Sequence, residues 1–106
     1  MVLHSFTGSE LDALNTLING FPSFRWSLVS VKPYKNRVRF YDGKAIDGYD
    51  NNDVSWLLSQ SVSELKNPID ILMYCICCPV DTLPLLINSI DMEIRQLAEF
   101  RLKVGK

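Results

Sequence analysis

The densest group of side chains able to do chemistry is Cys75-Ile76-Cys77-Cys78. A structural zinc needs four ligands, and the other soft ligand is His4, far away in sequence with no second cysteine pair. A redox thiol needs exposure and nearby positive charge, whereas these cysteines sit in an apolar run followed by Pro79 and Asp81, surroundings that raise a thiol pKa. Buried, inert cysteines acting as small hydrophobes are therefore expected. Asp42, Asp47, Asp50, Asn52 and Asp53 form the acid cluster that could hold a hard cation, but Asp47-Gly48-Tyr49-Asp50 breaks the alternating ligand order of a calcium loop. Turn formation and helix capping account for them. His4 is the sole histidine, and there is no nucleophile elbow, phosphate loop or dinucleotide fingerprint. The expectation is a chain that is not an enzyme and carries no cofactor and no metal.

The positive signal is electrostatic. Arg25, Lys32, Lys35, Arg37, Arg39 and Lys44 share one stretch with a single acid, Asp42, giving it +5, while the whole chain has a net charge of −1. The remainder of the chain is therefore acidic, and the near-neutral total conceals a segregation of charge. The same stretch alternates with period two and contains Trp26, Tyr34, Phe40 and Tyr41, the pattern of a basic, aromatic hairpin.

The elements that must position it follow from local signals. With 106 residues, of which 47% are hydrophobic and 22% charged, the chain (residues 1–106) reads as one globular domain. Thr7 to Glu10 fits a capping box, Phe6 and Leu11 stand at staple positions, and Leu11, Leu14, Leu17 and Ile18 form one stripe that ends at Gly20 and Pro22. From Phe24 the period predicts a strand with Phe24, Trp26 and Leu28 facing Val38 and Phe40. Pro33-Tyr34-Lys35-Asn36 is expected to turn, and Asp42-Gly43 to lead into a third strand at residues 44–46.

Beyond a polar loop with Asp50, Asn51 and Asn52 as candidate caps, a helix is expected to bury Val54, Leu57, Leu58, Val62 and Leu65. Trp56 falls about 200° from Val54, on the polar side, so it is either covered by a neighbouring element or an anchor for a partner. Asn67-Pro68 starts an all-apolar helix that Pro79 ends. One long last helix capped by Asp81 should then bury Leu83, Leu86, Ile87, Ile90, Ile94 and Leu97. Val80 is expected to pack over Leu85, Asp91 to pair with Arg95, Glu99 to pair with Lys103, and Arg101 and Lys103 to complement the negative helix end before Gly105.

Residues 71–90 hold Asp81 as their one charge, but a membrane span there would centre Pro79, Asp81 and Pro84, the acid alone costing about 2.5–3.5 kcal/mol. Two buried helices meeting at a proline break are expected instead. The opening residues Met1 to Phe6 lack the basic and apolar regions of a secretory signal, and three clustered cysteines do not make a disulfide framework, so a cytoplasmic location is expected.

The resulting fold class is α+β: an N-terminal helix, a small antiparallel β-meander of two or three strands, then three helices packed on its apolar face. The function expected is that of a non-enzymatic protein-binding module, of inhibitor, immunity or adaptor type, occluding or recruiting a partner with an acidic surface. Its contact residues would be Arg25, Lys32, Tyr34, Lys35, Arg37, Arg39 and Tyr41 on the meander, with Trp56. The alternative is a nucleic-acid-binding module using the same basic face, against which the overall acidity counts.

Overall fold

The computed structural model describes residues 6–24, 29–34, 37–42 and 45–106. The first helix, α1 (Gly8–Asn19), begins where two side chains replace missing backbone partners. Thr7 Oγ1 accepts from the N–H of Glu10 at 3.2 Å, and Glu10 Oε1 accepts from the N–H of Thr7 at 2.8 Å. Leu14 and Ile18 are buried on its inner face, as are Phe6 and Phe21 at its two ends. Gly20 ends it in a right-handed conformation, and Pro22 then leads a single 3-10 turn, Pro22–Phe24.

Three strands, β1 (Val29–Tyr34), β2 (Arg37–Asp42) and β3 (Ala45–Tyr49), pair antiparallel in the order β1-β2-β3, with a bulge between Phe40 and Tyr41. The edge strand β1 packs against α1, and their junction is specific. Asn15 on α1 accepts from the N–H of Val31 at 2.7 Å and donates its amide to the Val31 carbonyl at 3.3 Å. One side-chain amide thus stands in for a neighbouring strand at that point of the edge. It also fixes the phase of the ladder. With both Val31 polar groups turned outward, Val31 and Phe40 form a pair without mutual hydrogen bonds, and the N side of Pro33, two residues on, faces outward too. The missing N–H of Pro33 therefore costs no ladder bond, which is why a proline expected in the turn lies inside β1 opposite Val38.

A second capping box starts α2 (Asn51–Leu58): Asp53 donates its N–H to Asp50 Oδ1 at 2.9 Å, and Asp50 its N–H to Asp53 Oδ2 at 3.0 Å. The helix stops at Leu58 in a Ser-rich segment, where Ser59 and Gln60 turn back to the carbonyls of Trp56 and Leu57. After a 3-10 turn at Val62–Glu64, α3 (Pro68–Cys77) is capped by Asn67, whose side chain accepts from the N–H of Ile69. Pro79 and a further 3-10 turn, Val80–Thr82, separate it from α4 (Leu83–Leu86), and α5 (Met92–Val104) follows. Both α3 and α4 pack against α5. Gly105 ends α5 at φ 75°, a left-handed conformation that glycine adopts without the penalty of a Cβ.

This is not the expected α+β arrangement of one helix, a meander and three helices over its apolar face. The described residues are mainly helical, with five α-helices, and the chain divides into two compact units, Met1–Asp53 and Val54–Lys106. In the first unit the covering helix on β1 is α1, and in the second α3 and α4 both pack on α5. The expected long last helix is broken because Asp91 takes up the role of cap: its Oδ1 accepts from the N–H of Glu93 at 2.9 Å and of Ile94 at 3.2 Å, and is not placed on a helix to pair with Arg95. Ile90, expected in the core, lies in the link and is 101% exposed.

Among the described residues no single helix is long and apolar enough to cross a membrane; the segments Pro68–Cys77 and Val80–Leu86 meet at 113°.

Arg101 holds the second unit together. Ile94, Leu97, Ala98 and Arg101 are the buried residues of α5, one stripe at helical spacing, with Arg101 only 4% exposed. In a continuing α3 the carbonyl of Cys75 would accept from residue 79, but Pro79 has no N–H to give. Arg101 Nη1 fills the gap, donating to the carbonyl of Cys75 at 3.2 Å, to the carbonyl of Cys78 and to Cys78 Sγ at 3.1 Å; its Nε donates to the main-chain oxygen of Lys106 at 2.7 Å. Arg101→Met keeps much of the apolar stem but strands these acceptors, and is expected to lower unfolding stability by about 2–4 kcal/mol in denaturant titrations. A change within about 0.5 kcal/mol would show that the guanidinium is dispensable.

Candidate functional site

The strand register decides which of the expected contact residues share a side of the sheet. Rows Val31–Phe40–Asp47 and Pro33–Val38–Tyr49 have one parity, and both Val31 and Tyr49 are buried. The opposite parity holds Lys32 across from Arg39, Tyr34 across from Arg37, and Ser30 across from Tyr41, and Lys32 is exposed. By backbone placement, then, Lys32, Tyr34, Arg37, Arg39 and Tyr41 occupy one side of the ladder, and it is the side opposite buried Val31. Gly48 of β3 stands across from Arg39, so no side chain beyond a hydrogen lies at that end of the row.

Arg25 and Lys35 fall outside the described residues, as do Trp26, Ser27 and Leu28 of the expected first strand. Phe24 belongs to a 3-10 turn, and among the described residues the partners of Val38 and Phe40 in β1 are Pro33 and Val31. Trp56, the remaining expected contact, lies in α2 and is 61% exposed, while Leu57 beside it is fully buried. It belongs to the second unit and the meander to the first.

The three cysteines are free and buried. Burial pushes the Cys75 thiol up to about 12, reinforced by Cys78 and Asp91 and opposed by Arg101. Burial likewise pushes Cys77 up to about 12 and raises Cys78, in both cases against the pull of Arg101. At neutral pH all three are thiols, so they are poor nucleophiles and poor metal ligands. No group of three or more His, Cys, Asp or Glu able to hold a metal occurs among the described residues. Arg101, read as a complement to the end of its own helix, does lie in that last turn, but its bonds to the end of α3 were not foreseen, and Asn15 was not singled out at all. The stripe at residues 94, 97, 98 and 101 was a visible signal for the first, whereas an edge-strand lock has no local signature.

No known protein family matches the chain, and no curated protein or solved structure is significantly similar to it.

Two measurements follow from this geometry. Thiol reagents should label Cys75, Cys77 and Cys78 slowly in the folded chain and rapidly after denaturation. Because the folded chain retains the Cys75 and Cys77 protons up to about pH 12 while the unfolded chain loses them near 9, their contribution is complete below about pH 9 and is lost as the pH rises through that window. Replacing both by Ala should flatten the alkaline fall in Tm; an unchanged pH profile would refute the assignment. For exposed Trp56, Trp56→Ala should change stability by no more than about 0.5 kcal/mol. A loss near 3 kcal/mol, typical of a core aromatic, would contradict its placement.

Proposed function

We propose that the chain is a small non-enzymatic binding module of the cytoplasm, of inhibitor, immunity or adaptor type, that occludes or recruits a partner protein through the basic side of the meander. The observation carrying this reading is the register that sets Lys32, Tyr34, Arg37, Arg39 and Tyr41 together opposite a covered face. Such a row combines charge that steers encounter with planar side chains that anchor contacts. Its chemistry selects an acidic surface. Exposed Trp56 is a second contact of the kind enriched at interface hot spots. Three free, buried cysteines suit a reducing compartment.

The discriminating experiment is co-purification with and without nuclease, followed by charge reversal. Arg37→Glu with Arg39→Glu should leave the fold intact, slow association with an acidic protein partner by about tenfold or more at low salt, and be partly rescued by reversing acids on that partner. Bound material lost on nuclease treatment, with a log–log salt slope that the variant flattens, would replace this reading by nucleic-acid binding. Unchanged binding of every recovered partner would leave the basic row as a guard against edge-to-edge aggregation.

A further inference from the structure

We propose that the corner formed by residues 80–92 is a second docking surface, built for a basic amphipathic segment of a partner protein. Leu83 and Leu86 of α4 are buried, yet Leu85 between them is 75% exposed and Ile90 in the following link is 101% exposed; Val80 and Met92 are exposed as well. These side chains are not displayed by a slack loop. The N–H of Ile87 bonds the Leu83 carbonyl at 3.0 Å, that of Ser89 the Leu86 carbonyl at 3.0 Å, and the Asn88 amide the Pro84 carbonyl at 3.0 Å. Ser89 Oγ accepts from the N–H of Asp91 at 3.0 Å, and the Ser89 carbonyl from Arg95 Nη1 at 3.3 Å. With these bonds in place and Pro79 and Pro84 stiffening the path, the corner holds its apolar residues in water in advance of any partner, so little ordering cost remains to be met on binding.

Charge identifies the occupant. Residues 80–95 hold Asp81, Asp91 and Glu93 against a single cation, Arg95, whose guanidinium is bonded to the Ser89 carbonyl, and exposed Asp81 and Asp91 lie in sequence on either side of Leu85 and Ile90. A partner presenting apolar residues flanked by Lys and Arg complements this surface. A second copy related by two-fold symmetry would set the same acids against each other, and an anionic lipid surface would repel them. The corner belongs to the second unit and the basic meander to the first, and the proposal stands without the meander.

The test uses fluorescently labelled peptides with leucines at helical spacing and either Lys or Glu at every flanking position, titrated into the whole chain and read by anisotropy. The Lys peptide should bind in a salt-sensitive manner and the Glu peptide should not. Leu85→Ser with Ile90→Ser should weaken binding by about tenfold or more without changing the circular dichroism or Tm, and Asp81→Lys should weaken it and reduce its salt dependence. Arg37→Glu with Arg39→Glu should leave it unchanged, separating this surface from the meander. Failure of the Lys peptide to bind, equal binding of the Glu peptide, or indifference to the Leu85 and Ile90 substitutions would overturn the proposal. So would sedimentation showing a dimer, or flotation showing vesicle binding, abolished by those same substitutions.

Discussion

A proline at position 79 removes a backbone donor from the end of the strongly apolar helix α3, and a buried guanidinium from a different helix replaces it. The packing of the second unit rests on this exchange. The C-terminus of α3 carries the negative end of a helix dipole and carbonyls without partners; Arg101 brings a delocalised positive charge and several N–H groups to the same place. Because each of these would be costly to bury alone, each makes the other tolerable. The same contact explains the quiet chemistry of the cysteines. Cys78 Sγ receives a guanidinium hydrogen bond, which favours a thiolate, but burial outweighs it and the thiol pKa rises. A cation near a cysteine is therefore a structural fact here, with protonated sulfur as its outcome.

The first unit uses a neutral version of the same device. Asn15 pairs with both backbone groups of Val31, closing one point of an exposed strand edge. That closure sets the ladder phase, the phase sends Val31 to the covered side, and alternation places the basic and aromatic positions on the other. Presentation of the proposed binding face thus depends on a helix residue that carries no charge.

Signals confined to a few neighbouring residues were legible in the sequence. The Thr7–Glu10 box, the Asn67 cap before Pro68 and the glycine end of α5 are local bargains between side chain and backbone, and the structure contains all three. The phase of Trp56 pointed to the polar side of its helix, and the side chain is exposed, which removes one of the two explanations weighed for it. Less legible were choices settled by competition. Asp91 reads equally well as half of a surface ion pair or as a cap, and Ser89 and Asp91 together win the break that ejects Ile90 from the core. Apolar alternation from Phe24 suggested partners for Val38 and Phe40 that the register of β2 with residues 29–34 replaces by Pro33 and Val31. Arg101 was legible only in part: it lies in the last turn of its own helix and donates to the Lys106 oxygen there, but its second role at the end of α3 depended on a stripe whose last member is charged.

If one guanidinium unites α3 and α5, the two helices should open as one. Native-state hydrogen exchange on the wild-type chain tests this directly by comparing the Cys77 and Cys78 amides with those of the last turn of α5. The account predicts that both sets exchange through the same opening free energy and converge on one isotherm as denaturant is added. Exchange of the last turn of α5 through small local fluctuations, while the end of α3 stays protected up to global unfolding, would contradict it.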